Sequence, residues 1–343
     1  MSGAAGPGED AYRRAGVDLE AASRAVALIK EVAGAASRPE VASGVGGFAG
    51  LVDLGDGRLL AASTDGVGTK LDIARRVGKL DTVGIDCVAM CANDVVCTGA
   101  EPLFFLDYLA VEKLVPEEAS AIVEGVAEGC RQAGCALLGG ETAEHPGTMA
   151  SGSFDLAGFC VGIVGQGELL EPDRVRAGDA VLGFRSSGLH SNGFSLVRRV
   201  LDDDGHALDV FVPELGRSLG EELLEPTLIY VPTVLQLARA GLVGSAAHIT
   251  GGGILENLPR ALPPGLGAVL DTSAWTPQPI FGFVAAAGGL EARDLFGVLN
   301  MGLGFIVIAR SSDADDVVRL ARDSGFAVDP VGEVRDGSGI LLR

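Results

Sequence analysis

The chain has 343 residues, 48% of them hydrophobic, with a formal net charge of −20. At about 100–200 residues per domain this suggests two domains with a full core each, and no apolar run is long enough for a bilayer-spanning helix. The acidity excludes DNA or an anionic membrane as partner, and it makes a divalent metal the expected companion of any nucleotide ligand.

In chain order, residues 1–10 read as a disordered tail without the basic start and apolar run of a signal peptide, which makes the cytoplasm the expected location. Phe48–Asp53 and Arg58–Asp65 read as strands around a Gly55-Asp56-Gly57 turn. Asp81–Thr98 reads as a buried apolar helix and Pro102–Val111 as an aromatic strand. Pro116–Gly134 is an amphipathic helix opened by Pro116 and two glutamates. Ala136–Leu138 reads as a short buried strand and Phe154–Val164 as a long one. Apolar periodicity breaks at Gly165–Asp179, so the division falls there, giving 1–168 and 169–343. The second half restarts with strand Ala180–Phe184 and helix Asn192–Leu201. Further helices are expected over Pro232–Ala240, Gln278–Ala287 and Ser312–Ser324, and strands over Ala246–Ile249, Ala268–Asp271, Gly304–Ala309 and Val328–Val334. The class is mixed α/β (or α+β) in two halves. The six cysteines form no CxxC pair and have no His at ligand spacing, so they read as buried, reduced structural thiols.

Five polar clusters interrupt this pattern. In Ser63–Lys70 a strand ends at Asp65 and a turn containing Gly66 and Gly68 leads to Thr69 and Lys70. Glycines let backbone N–H groups approach phosphate oxygens, Lys70 supplies a cation, and Asp65 can hold Mg²⁺; a plain capped turn is the alternative. Gly44–Ala49 has the GxGxxA spacing of dinucleotide sites but precedes a strand, so it is set aside. Asn93 and Asp94 sit late in an apolar helix, with Asp86 near the same face; a metal, or hydrogen bonds at a helix end, would satisfy them. Gly139-Gly140-Glu141-Thr142-Ala143-Glu144-His145 follows a short strand and offers oxygen ligands beyond its end. Ser186–Phe194 joins a strand to a helix, with Ser191 or Asn192 as N-cap and His190 as the best general acid–base candidate. His248–Asn257 places Gly251, Gly252 and Gly253 between a strand and a helix. No Ser-His-Asp or Cys-His nucleophile follows from the spacing. Any one glycine cluster is weak, but several in one chain, two carrying acids, point to a phosphorylated ligand with metal.

Taken together these segments resemble the phosphoribosylformylglycinamidine cyclo-ligase family, also called the aminoimidazole ribonucleotide synthetases. The likeness runs from Tyr12-Arg13-Arg14-Ala15-Gly16-Val17-Asp18 to about Gly304, through Thr64–Lys70, Gly84-Ile85-Asp86, Met90–Asp94, Gly99–Tyr108, Gly139–Glu144, Ser186–Gly193, Glu225-Pro226-Thr227 and His248–Gly253. It implies a two-domain α/β fold whose N-terminal halves pair across a homodimer into a β-barrel, with the C-terminal half closing the cleft. It implies a reaction of formylglycinamidine ribonucleotide with ATP, in which phosphorylation of the formyl amide oxygen precedes attack by the amidine nitrogen. By motif, Asp65, Asp94 and Glu141 would hold Mg²⁺, and Gly66, Gly68, Thr69, Lys70, Asn93 and Gly140 would line the nucleotide phosphates. Ser187, His190, Asn192 and Thr250 to Gly253 would hold the substrate phosphate or move protons, with His190, Asp65 and Lys70 as the catalytic set. His145 departs from the apolar residue expected at its position and is given no role. Met301 stands where relatives often carry Cys, which excludes a catalytic cysteine there. Selenophosphate synthetase and thiamine monophosphate kinase share the architecture. The first would want a reactive residue near the N-terminus, where no Cys precedes Cys87; the second would lack Gly99–Tyr108 and Ser186–Gly193 in this form. A silent nucleotide-binding regulator would have lost Asp65, Asp94 and Glu141.

Overall fold

A computed structural model describes residues 19–203 and 205–343. The expected tail and the Tyr12–Asp18 motif lie outside the described residues. The N-terminal half comprises α1 (Leu19–Gly34), β1 (Val41–Ser43), β2 (Gly50–Asp53), β3 (Arg58–Gly66), α2 (Lys70–Val77), α3 (Val83–Val96), β4 (Glu101–Val111), α4 (Pro116–Ala133), β5 (Ala136–Glu144) and β6 (Phe154–Gly165). Its sheet has the order β1-β2-β3-β6-β4-β5. Only β4 and β5 run parallel within it, bridged by α4, while the other pairs are antiparallel. Helix α4 starts and stops where the sequence says: Pro116 in its first turn with Glu117 and Glu118, and Gly134 in the left-handed conformation at its end.

Helix α3 is the spine of this half. Nearly all of its side chains are buried, because it packs on β3, β4 and β6 on one side and on α4 on the other. Its crossing with α4 depends on two glycines. A Cβ on Gly84 would lie 2.2 Å from the Val126 nitrogen, and one on Gly125 would lie 2.1 Å from the Asp81 carbonyl oxygen. The obstacles are backbone, so a methyl group can fit only if the helices separate. Gly84→Ala is expected to lower unfolding free energy by at least the roughly 1–3 kcal/mol of an overpacked core, read as a lower urea midpoint.

The C-terminal half comprises β7 (Ala180–Arg185), α5 (Phe194–Asp203), the small hairpin β8 (Phe211–Val212) and β9 (Arg217–Ser218), α6 (Leu219–Leu223), α7 (Val231–Arg239), β10 (Ser245–His248), α8 (Gly253–Asn257), β11 (Leu266–Leu270), α9 (Pro279–Gly288), β12 (Leu303–Ala309), α10 (Ala314–Asp323), β13 (Val328–Asp336) and β14 (Ile340–Leu342). Its sheet has the order β10-β12-β7-β13-β11-β14. Strand β12 is buried along its whole length, which matches its unbroken apolar run.

Two expectations change. The strand expected to stop at Leu138 continues to Glu144, paired with β4 as far as Val111. Its glycines end the apolar pattern without ending the hydrogen-bond ladder, and it is largely exposed rather than buried. Helix α5 begins at Phe194 rather than Asn192, because Ser191 and Asn192 turn their side chains to other elements. All six cysteines are free and only Cys135 is not fully buried. Burial pushes the thiols of Cys87, Cys91 and Cys97 well up, so they stay protonated and inert. Among the described residues no helix is long and apolar enough to cross a membrane.

Candidate active site

Three of the glycine-rich segments, 63–70, 186–194 and 248–257, meet where the two halves join. Asp65 is the penultimate residue of strand β3, and its Oδ1 accepts from the Gly66 N–H at 2.8 Å. The chain then turns through Gly68, at φ +72°, into α2. Across the junction the Thr69 hydroxyl lies 3.4 Å from the Ser195 hydroxyl, and Ser191 Oγ donates to the Val67 carbonyl at 2.8 Å. Asn192 Oδ1 accepts from the Gly251 N–H at 2.9 Å, so its side chain fixes the loop before α8 and does not cap its own helix. Gly252 and Gly253 both have positive φ, and a Cβ on Gly253 would come within 2.2 Å of the Phe296 carbonyl oxygen. Asn257 holds this loop by donating to the carbonyls of Gly251 and Gly253, and the Thr250 hydroxyl lies 3.4 Å from its Oδ1.

Asp65 and Asp94 come together. Burial raises the Asp65 pKa, and the charge of Asp94 raises it further. Asp94 lies on α3, 16% exposed, and Oδ1 is 2.9 Å from His248 Nδ1 while Ser63 Oγ donates to Oδ2 at 3.4 Å. Among the described residues no Lys or Arg ion-pairs with either carboxylate. Two neighbouring carboxylates whose one basic neighbour is the imidazole of His248 leave room for a divalent cation. Among the described residues no three acidic, His or Cys side chains form a metal cluster.

Glu141 does not join them. Asp65 pairs with Gly158, Gly158 with Asp107, and Asp107 with Gly140. Cross-strand neighbours share a face, so Asp65 and Asp107 point to the helix side of the sheet. Glu141, one residue on, belongs to the row of Tyr108 and Gly66 and points to the opposite, open face. Its Oε1 accepts from the Thr142 N–H at 3.0 Å. The expected three-carboxylate set within one chain is therefore two, and the reason is that β5 stays extended through Glu141. Gly140 is required by Asp107: a Cβ there would lie 2.2 Å from Asp107 Oδ1.

Four other expected ligands are in the walls. Lys70 is fully buried, 2.8 Å from Asp86 Oδ2, and donates to the carbonyls of His190 at 3.1 Å and Glu225 at 2.8 Å. Three acceptors use all three ammonium hydrogens. The other Asp86 oxygen accepts from the Thr227 N–H at 2.8 Å and hydroxyl at 2.6 Å. Asp86 is thus satisfied by Lys70 and Thr227 instead of a metal. Asn93 is buried, donating to the Leu228 carbonyl and accepting from the Tyr230 N–H, both at 2.9 Å. Ser187 Oγ donates to the Pro226 carbonyl at 2.6 Å. His190 has φ 62° and a buried ring whose Nε2 accepts from the Ser187 N–H at 3.2 Å. Burial, with the nearby charges of His248 and Lys70, holds its pKa well below the usual histidine value, so the ring is neutral and enclosed.

Sequence reasoning gave no role to His248 and Asp107. His248 ends a strand just before the glycine run, and Asp107 lies within the Gly99–Tyr108 motif; each needed its cross-strand or cross-domain neighbour to stand out. Gly47, Phe48 and Ala49 of the set-aside segment line a cavity of about 470 Å³ with Thr98, Leu170, Ala246 and Arg260. There the Arg260 guanidinium stacks on the Phe48 ring at 3.8 Å.

Fold and junction define a class: a two-part α/β protein with a carboxylate pair and glycine loops where its halves meet. The N-terminal domain family of AIR synthase related proteins matches residues 46–164, and the corresponding C-terminal domain family matches residues 176–342. The phosphoribosylformylglycinamidine cyclo-ligase of Bacillus cereus (strain G9842) is 49% identical over 339 residues, covering 97% of this chain and 98% of that protein. Among solved structures, tt0281 from Thermus thermophilus superposes with a TM-score of 0.65 at 24% identity, covering 92% of this chain and 95% of that one. Thiamine-monophosphate kinase from Stenotrophomonas maltophilia K279a superposes with a TM-score of 0.61 at 19% identity and the same coverage; these two likenesses carry the fold alone. The chain belongs to the phosphoribosylformylglycinamidine cyclo-ligase family of AIR synthase related proteins.

Proposed function

We propose that the protein is an ATP-dependent ligase that closes the imidazole ring of aminoimidazole ribonucleotide from formylglycinamidine ribonucleotide, releasing ADP and phosphate. The observation that carries this reading is the carboxylate pair Asp65 and Asp94 at the junction, flanked by glycine loops from both halves. Its family membership gives the reaction. Transfer of the γ-phosphoryl group to the formyl amide oxygen turns a poor leaving oxygen into phosphate, and the amidine nitrogen then displaces it. Such transfer needs positioning and charge neutralisation more than covalent help. Asp65 and Asp94 would hold Mg²⁺, which neutralises phosphate charge when bound. Backbone at Gly66, Gly68, Thr69 and Thr250 to Gly253 would face phosphoryl oxygens. Lys70, Asn93, Ser187 and His190 act on this reading as the frame that fixes those loops.

We divide the chain into an ATP-binding half, 1–168, and a half that closes the cleft, 169–343. We further propose a homodimer formed through the open face of the N-terminal sheet, where Leu138, Phe159 and Tyr108 are 64%, 40% and 44% exposed. The cytoplasm is the proposed location, a reducing compartment in keeping with six free thiols. With ATP and Mg²⁺, one ADP is expected per aminoimidazole product, strictly dependent on formylglycinamidine ribonucleotide. ADP release without that product, or only on thiamine monophosphate, would overturn the reaction and leave the fold intact.

A further inference from the structure

Asp94 and His248 come from different halves, 154 residues apart, yet are joined by the 2.9 Å contact between Oδ1 and Nδ1. A carboxylate accepts, so Nδ1 is the donor. The imidazole is completely buried, held at the last residue of β10 opposite Phe305 of β12, whose ring centroid is 6.2 Å away. Its Nε2 is buried without a hydrogen-bond partner. A residue kept only for packing would leave neither a buried ring nitrogen unmet nor a polar tie to a largely buried acid. The chain leaves His248 directly into the Thr250–Gly253 loop, which Asn192 and Asn257 fix in place.

We propose that His248 is a positioning residue for the metal-binding carboxylate: its Nδ1–H fixes one Asp94 oxygen so that the other lone pairs face the metal shared with Asp65, and it links that carboxylate to the glycine loop of the opposite half. This rests on the metal reading of Asp65 and Asp94. Outer partners of metal ligands typically change metal affinity about 10–100-fold when removed. A buried carboxylate that loses its fixed donor rotates and must be re-ordered each time the cation binds.

The test uses the full-length protein at one fixed pH, with Mn²⁺ binding followed by electron paramagnetic resonance in the presence of a non-hydrolysable ATP analogue. Asparagine places an amide donor close to where Nδ1 lies, whereas glutamine places it near Nε2. H248N is expected to bind Mn²⁺ within about 3-fold of the unaltered protein, and H248Q at least 10-fold more weakly. Both variants should have matching melting temperatures and far-ultraviolet circular dichroism. Activity should follow the same split, with a raised Mg²⁺ activation constant in H248Q that saturating Mg²⁺ largely corrects. Unaltered Mn²⁺ affinity in H248Q, or equal losses in both variants, would overturn the proposal. D94N separates the two readings: if it binds Mn²⁺ normally the metal site itself is wrong, and if it alone binds weakly only the role of His248 falls.

Discussion

Replacing Asp65 by alanine is expected to lower kcat/KM for ring closure by on the order of 10³ or more, while the protein stays folded. Removing one preorganised electrostatic contact to a transition state typically costs about 10²–10³ in rate, and loss of a metal ligand adds weakened cation binding. The stability side has a definite sign. Asp65 has a raised pKa because burial and Asp94 both disfavour its ionised form. A carboxyl of this kind favours folding only while protonated, and that contribution is lost as pH rises through its folded-state pKa. At neutral pH without metal, Asp65→Ala should therefore melt no lower than the unaltered protein. Mg²⁺ with an ATP analogue should raise the melting temperature of the unaltered protein and leave that of the variant nearly unchanged. An Asp65→Ala protein with normal turnover would refute the metal assignment.

The second large effect is on stability. Lys70→Met should lower unfolding free energy by about 3–5 kcal/mol, because it leaves the Asp86 carboxylate buried without its counter-ion. It also removes the donor from the carbonyls of His190 and Glu225, which belong to the opposite half. Most of that loss should return in the double variant Lys70→Met/Asp86→Asn, where a neutral amide oxygen can still accept from Thr227. Urea denaturation of the two single variants and the double one gives the coupling energy. If Lys70→Met instead lost less than about 1 kcal/mol while ATP binding collapsed, Lys70 would be a phosphate ligand and not a tie between the halves.

Much of the site could be read from the chain because its signals are local. A strand ending in an acid followed by glycines needs only adjacent residues to be seen, and Asp65, Gly66 and Gly68 stand where that pattern puts them. Helix α4 announced its start with Pro116 and its stop with Gly134. Strand β5 was harder: Gly139 and Gly140 removed the apolar alternation that marks a strand, and an edge strand with an exposed face has little hydrophobic pattern to show. Its pairing with β4 kept it extended through Glu144. That one misjudged end moved Glu141 from a loop beside Asp65 to the other face of the sheet.

By itself the sequence determined the two α/β halves, the glycine turns and the presence of acids beside them, because propensity, periodicity and turn chemistry act over a few residues. Only the tertiary structure decided which polar group is used by the ligand and which by the protein. Lys70 faces Asp86, Asn93 faces the backbone at Leu228 and Tyr230, and His190 lies in the wall. Asp94 meets His248 from across the chain. The physical reason is that a buried charge or amide must find its complement in space, and the complements here are more than a hundred residues away in sequence for Asn93, Asp94 and the carbonyl partners of Lys70.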